Sequence, residues 1–309
     1  MQGCTHYSGK PALIYFHSYE MMDRVAMSKN EEIHWTDAQI RWTAENHNLT
    51  YYHDDDDVDS DSSSHAFKPD PDRTFSHQFQ HGKSTIEIEL KGYEEQSDTI
   101  YVSTGLTLWR SAEVLCNFIV EEGCNRLETI LEQERDASQC NILELGAGLG
   151  LVGILAQQVL SPSSSSKCDD SRGTLVVTDG DTNALTLLRQ NVQMNTSTAV
   201  PNGLPIEVEQ LLWGHKTAEV FQKSHGTFDL LLAADAIYVQ ANVAPLMDTV
   251  KVLLKRPGGE FWFSYCRRRQ VSVQIENVIH EADSIGLCPE LMKEDNDILL
   301  YVFHWKEAV

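Results

Sequence analysis

Leu143-Glu144-Leu145-Gly146-Ala147-Gly148-Leu149-Gly150 is the stretch whose reading decides the fold. It joins an apolar strand candidate, Asn141–Leu145, to an apolar helix candidate, Leu149–Leu160, which is the setting a ligand-cradling loop needs. Glycine lets a ligand approach the backbone closely, and free amides at a helix start attract negative charge. A tight turn packed against its neighbour is the structural alternative. The third glycine falls two residues after the second, whereas a dinucleotide-binding loop places it three after, where this chain has Leu151. The next strand ends in Thr178-Asp179-Gly180-Asp181, which puts a carboxylate where a ribose diol could be held. Asp179 ends the strand and is expected to hold the ribose, whereas Asp181 reads as the cap of the following helix.

Outward from this loop, strand and helix alternate. Further strands are expected at Thr174–Thr178, Ile206–Leu212, Asp229–Ala233 and Glu260–Tyr265, with helices near Asp181–Met194, Lys216–Lys223, Asn242–Lys255 and Val271–Ile285. The helix near 242–255 shows its apolar face in Val243, Leu246, Met247, Val250 and Leu254. A last strand, Ile298–Trp305, follows the turn-rich link Glu294–Asp297 and is expected to run antiparallel. Upstream, Ile86, Ile88 and Leu90 alternate with charged residues, and Thr99–Val102 is expected to complete a hairpin with them. Trp109, Ala112, Leu115 and Ile119 have helical spacing, with Gly123 placed to stop that helix. The expected fold is α/β: a Rossmann-like, seven-stranded, mostly parallel sheet with helices on both faces, an antiparallel last strand and an N-terminal extension.

The chain has 309 residues, with 46 acidic and 24 basic side chains and a net charge of −22. That balance opposes nucleic-acid binding, which needs clustered Lys and Arg against phosphate. Seven scattered cysteines without a Cys-x-x-Cys pair fit a reducing compartment and argue against a disulfide framework or a cysteine zinc site. No apolar run reaches the roughly 20 residues of a membrane span. A soluble monomer in the cytoplasm, with the nucleus as a second location, is expected.

Residues 1–80 form a poorly defined N-terminal region, with the catalytic domain expected over 81–309. The acidic run Asp54–Ser64 reads as solvated. His47, His53, His65, His77 and His81 lie near it, but their spacing matches no ligand pattern, so no metal is expected. Ser161–Gly173 and Thr196–Pro205 read as surface loops.

Four stretches together carry a family resemblance: Thr104-Gly105-Leu106-Thr107-Leu108-Trp109-Arg110-Ser111-Ala112, Leu143–Gly150, Thr178-Asp179, and Leu232-Ala233-Ala234-Asp235-Ala236-Ile237-Tyr238, with Trp213 after the third strand. In these the chain resembles the seven-β-strand (class I) S-adenosylmethionine-dependent methyltransferases. More narrowly, it resembles the eukaryotic protein-lysine methyltransferases called methyltransferase family 16. The resemblance covers residues 84–305. It implies S-adenosyl-L-methionine as cofactor, S-adenosyl-L-homocysteine as product, and a protein substrate carrying the target lysine. It further implies that Trp109 lines the cofactor, that Gly146, Ala147 and Gly148 meet its methionine part, and that Asp179 takes the ribose. Trp213 would flank the adenine and Ala234 would lie beside the cofactor with its backbone. Asp235 and Tyr238 become the catalytic pair that receives the acceptor amine, with loop capping and packing as their structural alternatives.

At the position of Asp235-Ala236-Ile237-Tyr238, relatives acting on nucleotide bases or glutamine carry Asn-Pro-Pro-Tyr, so the resemblance favours an amine acceptor. A small-molecule amine methyltransferase and a non-catalytic module that keeps the fold are the rival readings. A nicotinamide dehydrogenase is disfavoured by the glycine spacing. Arg267-Arg268-Arg269 could bind an acidic stretch or form a solvated cluster. Substrate identity, the number of methyl groups added and the role of residues 1–80 are not legible here.

Overall fold

The computed structural model describes residues 74–93, 104–132, 140–160, 173–196, 204–267 and 273–307. The acidic run, Thr99–Val102, Arg268, Arg269 and most of both expected surface loops lie outside the described residues. The described elements fall within one compact unit, Pro69–Val309.

Seven strands form the main sheet: β3 (Ile142–Leu145), β4 (Leu175–Asp179), β5 (Ile206–Gln210), β6 (Leu230–Ala234), β7 (Glu260–Cys266), β8 (Leu287–Asp295) and β9 (Ile298–Trp305). Their order across the sheet is β5-β4-β3-β6-β7-β9-β8. The first five are parallel, and β9 runs antiparallel to both β7 and β8. The chain leaves β3 in one direction to β4 and β5, then returns to β3's other side with β6. That reversal opens a crevice at the carboxyl ends of the strands, the usual ligand position of such sheets.

Alternation along each strand divides the core. Ile142, Leu175, Val177, Leu230, Leu232 and Trp262 face one side, where α1 (Arg110–Phe118), α2 (Cys124–Glu132), α3 (Leu151–Val159) and α4 (Thr182–Thr196) pack. Leu143, Leu145, Val176, Leu231, Phe261 and Phe263 face the other, beneath α5 (His215–His225), α6 (Val243–Leu253) and α7 (Ile275–Ser284). Central strands buried on both faces explain why their sequences read as apolar runs rather than as strict alternation.

Three expectations need correction. The helix after Trp109 does not stop at Gly123: it passes through a π turn, Ile119–Gly123, and continues as α2. A Cβ at Gly123 would stand 3.3 Å from Trp262 Cζ3, so the glycine serves close packing and not termination. β2 (Ser84–Lys91) forms its hairpin with the strand before it, β1 (Thr74–His81), in full register across the Gly82 turn, whereas the expected partner stretch Thr99–Val102 lies outside the described residues. The third concerns the segment before β9: of the expected link Glu294–Asp297 only Asn296 and Asp297 form the turn, and Glu294 and Asp295 end a full strand, β8. Its signal is weak because it is an edge strand, carries Pro289, and has a register shift between Leu291 and Lys293.

α3 lies so close to β3 and β4 that a Cβ at Gly153 would come 2.3 Å from Val177 Cγ1 and 2.5 Å from Glu144 Oε2. In an exposed helix, alanine would be favoured over glycine by about 1 kcal/mol. Here overpacking, about 1–3 kcal/mol, wins. Gly153→Ala is expected to destabilise the protein by about 1–2 kcal/mol in urea denaturation.

Candidate cofactor and acceptor site

The loop after β3 turns back on itself through Gly146 (φ 68°) and Gly148 (φ 54°), backbone conformations that side chains with a Cβ resist. Space is tight as well as twisted. A Cβ at Gly146 would sit 3.2 Å from Ala236 Cβ and 3.3 Å from Trp213 Cζ2, and one at Gly148 would sit 3.2 Å from Gly105 O. The indole of Trp213 and the Thr104–Leu106 turn therefore close on the loop from two sides.

Strand β4 holds the loop in place. Ala147 N donates to Thr178 O at 2.8 Å, and Gly148 N donates to Asp179 Oδ2 at 2.9 Å. Thr178 Oγ1 donates to Glu144 O at 2.7 Å. Asp179 Oδ1 accepts the Asp181 amide at 2.9 Å. Burial pushes the Asp179 carboxyl above its ordinary range, and the amides of Asp181 and Gly148 oppose that shift. Asp181 accepts Asn183 N at 2.8 Å through its side chain and Leu185 N at 3.0 Å through its carbonyl, which makes it the cap of α4 as its position implied.

Trp109 directly precedes α1, half-buried, with Nε1 donating to Thr104 O at 3.1 Å. Trp213 follows β5, and the next amide, Gly214 N, is anchored by Thr249 Oγ1 at 2.8 Å. Beside it the exposed Leu212 lies against Gly180, whose Cβ would be 3.3 Å from Leu212 Cδ2. At the end of β6, Ala234 pairs with Ser264 of β7. Asp235 then enters the left-handed region at φ 53°, buried, with its amide donating to Ser264 O at 2.9 Å. A non-glycine residue held there is a strained point of a kind that gathers at functional sites. Tyr238 is 37% exposed, at the solvent side of the same turn.

The structure thus brings Gly146, Gly148, Asp179 and Trp213 into one contact network at the carboxyl ends of the strands. Ala234 and Asp235 stand at the same end of neighbouring β6. Trp109 joins the network through Thr104 and Gly105. Motifs alone assign no roles to Gly105, Ser264 and Leu212, because their places come from packing partners far away in sequence. Arg267 forms an exposed pair with Glu294 at 2.8 Å and Arg110 another with Asp295 at 3.7 Å, contacts worth little in water. A cavity of about 400 Å³ opens elsewhere, at the amino end of β7, lined by Glu122, Asn125, Arg126 and Glu260. Arg126 fills its polar needs there by bonding Glu260 at 2.7 Å and Glu290 at 2.9 Å.

A family model described as lysine methyltransferase matches residues 88–281, more than half of the chain. This chain belongs to the lysine methyltransferase family. It is similar to the protein-lysine methyltransferase METTL21E of Bos taurus, 31% identical over 175 residues, covering 57% of this chain and 52% of that one. It is also similar to the histone-arginine methyltransferase METTL23 of Mus musculus, 26% identical over 188 residues, covering 60% and 61%. Against the first relatives it matches, the chain spans about half their length. Among solved structures it is similar to a ribosomal protein L11 methylase from Lactobacillus delbrueckii subsp. bulgaricus, with TM-score 0.43 and 13% identity, covering 75% of this chain and 98% of that one.

The cofactor of this lysine methyltransferase family member is S-adenosylmethionine, and the groups at the loop suit it. They are a carboxylate at a strand end for a diol, backbone amides and carbonyls at glycines, and an indole for a flat base. Carboxylates and aromatics of this kind suit a cationic sulfonium carrying an amino acid and a nucleoside better than a pyrophosphate.

Beneath the loop, Glu144 is 2% exposed and accepts Gly153 N at 2.9 Å, capping the start of α3. Burial pushes its carboxyl from 4.5 up to about 8, against the opposing amide bond of Gly153. A carboxyl whose pKa rises on folding stabilises the protein below its unfolded value and loses that contribution as pH rises toward 8. Glu144→Gln keeps an acceptor for Gly153 without the charge. Its stability relative to the parent is expected to improve between pH 5 and pH 8, by on the order of 1–3 kcal/mol, in denaturant titrations at both values.

Proposed function

We propose that this chain transfers the methyl group of S-adenosylmethionine to the Nζ of a lysine in a protein substrate. The observation that carries the reading is the meeting of the glycine loop, Asp179 and Trp213 at the carboxyl ends of β3, β4 and β5, one strand away from Asp235. On this reading Asp179 holds the ribose and Trp213 flanks the adenine. Gly146, Ala147 and Gly148 receive the methionine part through backbone, with Trp109 and Ala234 completing the walls.

The bound cofactor supplies an electrophilic methyl on a cationic sulfonium, and the chain's work is to deliver a neutral amine in line with it. A lysine has pKa about 10.4 in water, so the site must take up or disfavour its proton. Asp235, buried and fixed by the Ser264 carbonyl, can accept a hydrogen bond from the amine and draw off its proton. Tyr238, at the solvent rim, packs along the lysine stem and helps exclude water. With the cofactor bound, the amine nitrogen would take the methyl from the sulfonium, leaving a neutral thioether, and Asp235 would take up the proton the amine gives up. We further read the unit Pro69–Val309, which includes β1, as the catalytic domain and the residues before it as an extension. The enzyme acts as a monomer in the cytoplasm or nucleus, without a nucleic-acid substrate, as the net charge of −22 favours.

Asp179→Ala is expected to weaken S-adenosylmethionine binding at least about ten-fold by calorimetry, roughly 1.4 kcal/mol. Asp235→Asn should instead bind the cofactor normally and lose about 100-fold in kcat. Labelled methyl transfer to cell extract, followed by hydrolysis to free amino acids, should yield methylated lysine. Methylated arginine would redirect the reading to a guanidinium acceptor, and absence of cofactor binding at millimolar concentration would leave the fold as an interaction module.

A further inference from the structure

The outer edge of β2 has no strand beside it among the described residues, yet its backbone is paired. Asn191 and Asn195, one turn apart on α4 and both buried, face that edge and bond to it as a strand would. Asn195 Oδ1 accepts Glu89 N at 3.1 Å and its Nδ2 donates to Glu89 O at 2.8 Å. Two residues along, Asn191 Oδ1 accepts Lys91 N at 2.8 Å and its Nδ2 donates to Lys91 O at 3.1 Å. The two amides therefore supply both donor and acceptor at successive rungs of one strand edge.

Asn191 does one thing more. Its Nδ2 also donates to Leu149 O at 2.9 Å, inside the glycine loop. The contact is reinforced from the hairpin: Gly92 follows Lys91 and lies so close to Leu149 that a Cβ there would come 2.4 Å from Cδ1. From there, Tyr93 N donates to Leu106 O at 2.9 Å and Leu108 N donates to Tyr93 O at 2.8 Å, which holds the segment leading into Trp109. One fully buried amide thus stands where three things meet: the hairpin, the Trp109 segment and the loop that carries Gly146 and Gly148.

We propose that Asn191 is a positioning residue of the cofactor site, holding the glycine loop in register with the Trp109 segment by bridging Leu149 O and the Lys91 backbone. The inference rests on reading that loop as the S-adenosylmethionine site. The residue type follows from the geometry: the position needs one acceptor and two donors in a plane, which a primary amide supplies and a carboxylate or aliphatic group of similar size does not. Asn195 shares the strand-edge role, but its second donor bond returns to its own helix, at Asn191 O, 2.7 Å away. It is therefore the natural control.

The test compares Asn191→Ala and Asn195→Ala in the full chain with three readouts: denaturant stability, S-adenosylmethionine affinity by calorimetry, and amide hydrogen exchange of the peptide spanning 143–153 without cofactor. Both variants are expected to lose stability. Asn191→Ala alone should weaken binding about ten-fold or more and speed exchange at 148–150, with Asn195→Ala staying within about two-fold of the parent on both. Equal effects of the two variants on binding and exchange, or parent-like values in Asn191→Ala, overturn the proposal. If Asn191→Ala does not fold, Gly92→Ala presses on Leu149 from the hairpin side with Asn191 intact. It is expected to weaken binding similarly, and unchanged affinity in a folded Gly92→Ala overturns the proposal. A parent protein that binds no S-adenosylmethionine defeats the site reading itself, whereas the exchange comparison without cofactor judges the loop's positioning separately.

Discussion

The bond from Gly148 N to the buried carboxylate of Asp179 is the constraint on which the site depends. A loop with three alternate glycines at positive φ, Gly146, Gly148 and Gly150, has many conformations available and little intrinsic reason to choose one. The carboxylate selects among them, because a charge-assisted bond in a half-dry setting is worth more than a neutral one in water. It also costs something, since burial disfavours the ionised acid. The amides of Asp181 and Gly148 offset that cost by facing the charge. The end of β4 and the turn after β3 thus become one rigid unit, and Trp213, Gly105 and Ala236 can pack against it at near-contact distances.

Around that unit the site is assembled from several distant parts of the chain. The reversal of strand order at β3 places the ends of β4 and β6 on either side of the loop. Asp179 thereby stands on one side and Asp235 on the other. Asp235 adopts a left-handed backbone with its amide committed to Ser264 O in β7, and Ser264 Oγ in turn donates to Ser111 O in α1 at 2.9 Å. The acceptor side is thus linked to the helix that begins beside Trp109. Glu144 shows the same economy from below: one buried carboxyl joins β3 to the first turn of α3, and Gly153 must be a glycine to admit it.

Legibility followed the range of each interaction. Parallel strands and amphipathic helices announced themselves because burial on a face leaves a period in sequence. Asp181 was readable as a cap because its partners, Asn183 and Leu185, lie within four residues. Gly123 looked like a helix stop by the same local logic, and failed because its neighbour in space is Trp262, well over a hundred residues away. Strand β8 was missed because an exposed edge imposes no strict alternation on its residues. The two asparagines of α4 gave no signal at all: in a helix pattern they are polar positions like any other, and only the approach of β2 makes them a substitute strand.

What the sequence determined by itself was the fold class, the glycine loop and its spacing, the carboxylate ending the second core strand, and the motif set that points to a methyltransferase. Each is written in contiguous residues, since backbone conformation and face burial are set within a few positions. The tertiary structure decided which loop lies on which. It placed the Trp109 segment on Gly148, Trp213 over Gly146, the hairpin edge on Asn191 and Asn195, and Glu144 under α3 in a setting dry enough to lift its carboxyl to about 8. Those contacts join residues from nine to more than a hundred positions apart, and their energies come from close packing and desolvation, which exist only once the layers have come together.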